Sequence, residues 1–140
     1  MDDNLGLIEV KAGQTAAGRE YIYSIRKLRD ETEGIPKCVY LLNFNIRFEK
    51  GIQFISGSFD EVGMTGIRDS LAYSMMRNEG GPLEGKEFGD LEGWCADPYD
   101  PNFKRGFLMN LSEDERLDEM FSTHPLSVAR KFVRDIISLN

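Results

Sequence analysis

The side chains best equipped for chemistry in this 140-residue chain lie in its second half. His124, the only histidine, stands immediately before Pro125. An imidazole acting as general base needs a partner held beside it, and Cys95 is the formal candidate for a thiol it could activate. The stretch GDLEGWCADPYDPN adds Asp90, Asp97, Asp100 and Asn102 as oxygen donors. Their spacing is not that of a calcium-binding EF-hand loop, which needs a glycine turn and a terminal glutamate at set positions. Zinc would want cysteines and histidines in close pairs, and Cys38 and Cys95 lie far apart. Each feature also has a simpler reading. His124 fits an N-cap or hinge, and two Asp-Pro steps are first of all turn chemistry. The glycines of GMTG, residues 63–66, precede a helix start but lack the lysine of a phosphate-binding loop. Arg68 and Asp69 just beyond read as surface charges or a local ion pair. The enzyme alternative is therefore a small enzyme or effector whose site gathers His124, Cys95 and the Asp97/Asp100 loop.

Binding chemistry is the leading reading. Trp94, Tyr99 and Phe103 sit among Asp97 and Asp100, and aromatics among charges form recognition surfaces when exposed. Against this, Trp94 can tuck into the core and pin the loop. Residues 82–121 hold eleven acids and four bases, while the rest of the chain holds thirteen of each sign, so the net charge of −7 belongs to one segment. That segment expects cations or a basic protein partner, with an attraction that weakens as salt rises. A broad nucleic-acid-binding face is disfavoured. No apolar run approaches the ~20 residues that span a bilayer. The start MDDNLGLIEV opens with two acids, Asp2 and Asp3, where a secretory signal carries positive charge. We therefore expect a cytoplasmic, bacterial-type protein that acts as a non-enzymatic binding or adaptor module through the loop around Trp94–Asn102. Self-association is compatible with the sequence, and no cofactor motif is present.

The elements that must hold these residues follow from periodicity. Cys38 to Phe59 reads as a hairpin, with Tyr40, Leu42, Phe44, Ile46 and Phe48 on one face and Asn43, Asn45 and Arg47 on the other. With Glu49-Lys50-Gly51 as the whole loop, Phe48 meets Ile52, Ile46 meets Phe54, and Phe44 meets Ser56 on the dry face. The small residues there leave a shallow depression for a helix. Cys38 reads as a buried thiol on the same face. Leu5–Val10 is expected as an edge strand and Arg19–Leu28 as a half-buried strand. A helix over 65–78, capped by Thr65 after Gly63 breaks the strand, should lay Ile67, Leu71 and Met75 on the sheet. Residues 80–105 form a long acidic loop, of a length that tends to be functional or mobile. Gly106–Leu111 suits a short strand. Ser112 with Glu115 suits a capping box opening a helix to about Met120. Pro125 opens a last helix with Leu126, Ala129, Val133, Ile136 and Ile137 as its stripe.

The segments GREYIYSIRK, SFDEVGMTGIRDS, GWCADPYDPNFKRGFLMNLSE and HPLSVAR together resemble a family of small uncharacterised bacterial proteins, over residues 18–134. In element order the chain is also similar, more distantly, to PsbP-like proteins, a group of assembly or binding factors. That likeness implies a curved antiparallel sheet flanked by helices, and no catalytic residue carries over. The expected fold is one α+β domain over residues 1–140, with an antiparallel sheet of four to six strands and a C-terminal helix.

Overall fold

The computed structural model describes residues 3–32, 34–62, 65–78, 80–87 and 89–140. The fold is α+β. Its antiparallel sheet has four strands in the order β1 (Leu5–Gln14), β2 (Glu20–Asp30), β3 (Lys37–Phe48) and β4 (Gly51–Asp60). Two α-helices follow, α1 (Ile67–Met76) and α2 (Pro125–Leu139), with short 3-10 turns at Leu111–Glu113 and Glu115–Leu117 between them. Gly63, the expected strand breaker, lies outside the described residues.

Alternation in β2 and β3 does what it promised. Tyr23, Ile25, Tyr40, Leu42, Phe44 and Ile46 are buried on one face. That face is covered by α2, whose Leu126, Ala129, Val133 and Ile136 join the same cluster. A bulge in β1 between Leu7 and Glu9 turns both Ile8 and Glu9 into the interior. Gly6 sits where the carbonyl of Phe107 presses on β1, so a Cβ there would collide with it.

The β3–β4 register differs from the expected one by a single residue. Only Glu49 and Lys50 form the turn, and Phe48 pairs with Gly51, at φ 153°. Ile46 therefore faces Gln53, Asn45 faces Phe54, and Phe44 faces Ile55. A one-residue slip moves every β4 side chain to the other face. Ile52 and Phe54 consequently stand on the uncovered face, 58% and 70% exposed, instead of in the core. Phe48 is also exposed, beneath the Arg19 guanidinium. The dry-face gap lies at Gly57, opposite Leu42, and the Phe59 ring fills it.

Helix α1 does not cover the sheet. It buries Arg68 and Ala72 and packs on the Leu111–Glu113 turn, leaving Ile67, Leu71 and Met75 exposed. The stripes 67/71/75 and 68/72/76 both repeat every four residues, and α2 already occupies the sheet face. The cap is Gly66 at φ 77°, a left-handed conformation that glycine takes without strain, and not Thr65. Two further expectations fail for a shared reason. Residues 106–111 contribute only an isolated bridge, Cys95 with Asn110. The capping box is Asn110 with Glu113, two residues earlier than Ser112 with Glu115, and it opens a 3-10 turn and no α-helix. Here polar contacts to the core, from Asn110, Ser112 and Glu113, dictate the backbone.

Candidate functional site

Three stretches converge beside the end of β4. Asp60, Glu61 and Val62 leave the sheet, Ile67 and Arg68 begin α1, and Met120–Pro125 lead into α2. They enclose a half-open hollow of ≈ 330 Å³. Behind it is a chamber of ≈ 20 Å³, reaching Lys27, Cys38, Tyr40 and Glu113. Glu61, Arg68 and His124 line both spaces.

His124 is placed by its own helix. It is the N-cap of α2, with Pro125 at the first helical position, as the sequence indicated. Its Nδ1 accepts the amide of Leu126 at 3.3 Å and lies 3.5 Å from Arg68 Nη1. Both neighbours are donors, so the ring proton sits on Nε2, which faces Glu61 Oε2 at 3.8 Å. Burial, and secondarily the Arg68 charge, push the imidazole pKa down to about 4. At neutral pH the ring is uncharged. Glu61 is held by two backbone amides, Cys38 N–H to Oε1 at 3.3 Å and Gly66 N–H to Oε2 at 3.1 Å. Among the described residues its only ion-pair partner is this neutral imidazole.

The floor is rigid because Arg68, 2% exposed, has every arm engaged. Nε donates to the Ser112 carbonyl at 2.6 Å, Nη1 to Ser127 Oγ at 2.9 Å, and Nη2 to Asp118 Oδ1 at 3.0 Å. Asp118 Oδ1 also accepts from Arg130, whose Nε reaches Glu9 Oε1 at 2.6 Å. Tyr23 donates to the other oxygen of Glu9, and its hydroxyl pKa is raised by burial and by that carboxylate. A second group joins Lys27 Nζ to Glu113 Oε1 at 2.7 Å and Tyr40 OH to Glu113 Oε2 at 2.7 Å. Asp69 accepts from Ser112 Oγ and from Asn110. Buried charges persist when paired and hydrogen-bonded, and these pairs tie residues 110–118 to the sheet and both helices, with Asp118 Oδ2 the one oxygen of the Arg68–Asp118–Arg130 group left without a hydrogen bond among the described residues. Arg68 is thus an interior anchor and not a surface charge, whereas Asp69 is exposed, as expected, and bonds Ser112 and Asn110 from the surface.

The loop residues singled out from the sequence lie elsewhere. Trp94, 8% exposed, packs edge-on to Tyr73 and clusters with Ala72 and Leu83, so it pins the loop from inside. Asp97 Oδ1 accepts the amides of Tyr99 and Asp100, and Asp100 Oδ1 accepts that of Asn102. Tyr99 OH both donates to the Val10 carbonyl at 3.0 Å and accepts its amide at 2.9 Å, latching the loop to the β1 edge. Phe103 is half-buried. Cys95 is exposed, in its bridge with Asn110. No hydrogen bond or ion pair among the described residues joins Cys95, Asp97 or Asp100 to His124. Nor do three or more of the described His, Cys, Asp or Glu side chains converge as a metal site. Cys38, against the chamber, has its pKa pushed up to about 12, chiefly by burial. No described helix is long and apolar enough to cross a membrane.

Glu61, Lys27 and Glu113 were not singled out as site residues beforehand. One signal was available for Lys27, which shares the parity of Tyr23 and Ile25. Comparison with protein-family models, with curated proteins and with solved structures returned no match.

Proposed function

We propose that this chain is a non-enzymatic binding module that receives a basic side chain, arginine or lysine, of a protein partner in the Glu61/His124 hollow. The observation that carries the reading is Glu61, a carboxylate on the hollow's wall whose only ionic neighbour among the described residues is an uncharged imidazole. A guanidinium or ammonium entering there gains a charge-assisted bond from an acceptor already oriented by two amides. The surroundings suit a peptide. Val62 and Met120 are exposed at the mouth, and Ile67 continues along α1 into the exposed Leu71 and Met75. A partner with one basic residue among apolar ones fits this combination of an acidic hollow and a dry stripe.

The test is calorimetry with short apolar peptides identical except for a central Arg, Lys, Gln or Glu. Binding of the Arg and Lys peptides only, weakened by salt, is the expected result. Equal binding of the Gln peptide would remove the carboxylate from the explanation.

The loop around Trp94–Asn102 gives a second reading. The Tyr99 ring is exposed while its hydroxyl is fixed at both valences to Val10, so it presents a preorganised aromatic face. The likeness to PsbP-like assembly factors accords with either surface. A cytoplasmic setting accords with two cysteines left as free thiols.

A further inference from the structure

The two edges of the sheet are treated differently. At β1 the outer edge is occupied, with Tyr99 bonded to both backbone groups of Val10 and the Phe107 amide donating to the Leu5 carbonyl. At β4 the outer edge is bonded by no other described element. Residues 51–59 there contain no charge and no proline, the usual devices that keep an edge strand from pairing.

We infer that β4 pairs with β4 of a second copy of this chain, antiparallel about a two-fold axis at Ile55, making one continuous eight-stranded sheet. Three observations point to a second copy and not to an unrelated strand. First, a two-fold pairing centred on Ile55 sets Phe54 opposite Ser56 of the second copy and Ile52 opposite its Ser58. Gln53 then meets Gly57, and Gly51 meets Phe59. Larger residues meet small ones at every pair but the central one, where Ile55 meets itself on the axis, so the strand is complementary in size to its own reverse. Second, the pairing draws Ile52 and Phe54 of both copies into one apolar band on the open face, beside the exposed Ile22. Third, α2 rests on β3 and β4 alike, so its axis lies between them. With strands ~4.8 Å apart, the two α2 axes would run about 10 Å from each other, a normal helix-packing distance. The α2 flank above β4 is apolar and open: Phe132 touches Phe59, and Phe132 and Val128 are both exposed. The dimer is isologous and closed, so it leaves β1, already latched, as the only edge. The pairing uses neither Glu61 nor His124, although the same register sets Lys50 of the second copy opposite Asp60 at the hollow's edge.

Light scattering across a concentration series of the full chain reads the mass, and hydrogen exchange reads the β4 amides. The expected result is a dimer, with the β4 amides more protected as concentration rises. Phe54→Lys, at a 70% exposed position, should raise the dimer dissociation constant roughly tenfold or more with an unchanged circular dichroism spectrum. In a Cys95→Ser background, Phe54→Cys/Ser56→Cys should cross-link on oxidation, while Phe54→Cys alone should not. A monomer at high micromolar concentration, a dimer indifferent to Phe54→Lys, or open-ended oligomers would each overturn the inference.

Discussion

His124 makes the protein's stability depend on pH in a narrow window. Its folded pKa, about 4, lies below the ordinary histidine value of 6.5. The folded state therefore binds fewer protons than the unfolded state between those values. Stability is fully present above the unfolded value and falls as pH drops through the window. From pH 7 to pH 5 the difference amounts to about 2 kcal/mol. Contact between the ring and the water in the hollow screens part of this, leaving about 1 kcal/mol or more. The groups facing the ring, Arg68, Asp69, Asp118, Arg130 and Glu61, are themselves charged, so wild type alone cannot isolate the effect. His124→Asn can, because an asparagine oxygen still caps Leu126 N–H without titrating. Urea unfolding of both proteins at pH 7 and pH 5 is the assay. Wild type should lose about 1–2 kcal/mol more than the variant over that interval. Equal losses would mean that the imidazole is not held neutral, and the account of the hollow's charge would fail with it.

Other consequences are simpler to read. Lys27→Met leaves the buried Glu113 carboxylate with Tyr40 and the Asn110 amide but no counter-charge and should cost about 3–5 kcal/mol in chemical denaturation, with Lys27→Met/Glu113→Gln recovering much of it. Ile46→Ala should cost about 2–5 kcal/mol, since Ile46 is buried, whereas Ser56→Leu on the open face should change monomer stability by about 0.5 kcal/mol or less. Ellman's reagent at pH 8 should modify Cys95 and spare Cys38 until the protein unfolds.

Alternation in β2 and β3, and the Pro125-led stripe of α2, were legible because each has one apolar parity or phase and a clear start signal. Strand β4 was harder. Ile52 and Phe54 occupy one parity, Ile55 and Phe59 the other, so the pattern does not choose between a two- and a three-residue turn. Helix α1 failed as a sheet cover for the same kind of reason, two competing four-residue stripes, decided by Arg68 seeking its interior acceptors. The site itself was mostly illegible. Charged side chains are ordinarily exposed, and Arg68, Lys27, Glu113 and Arg130 are interior only because partners far along the chain neutralise them. Sequence adjacency shows none of those pairings. His124 as an N-cap was visible; the carboxylate opposite it, 63 residues earlier, was not.

Recognition of a basic side chain by Glu61 in the hollow can be read at the carboxylate itself. The most direct measurement is a carbon-detected NMR titration of the side-chain carboxylates with the Arg-centred peptide, in wild type and in Glu61→Gln. The Glu61 carboxylate and the His124 ring resonances should shift together with the Leu126 amide. In Glu61→Gln the affinity should fall about 10- to 100-fold, the loss expected for one charge-assisted bond. Peptide binding that leaves these resonances unmoved, or that is equally tight in Glu61→Gln, would contradict it.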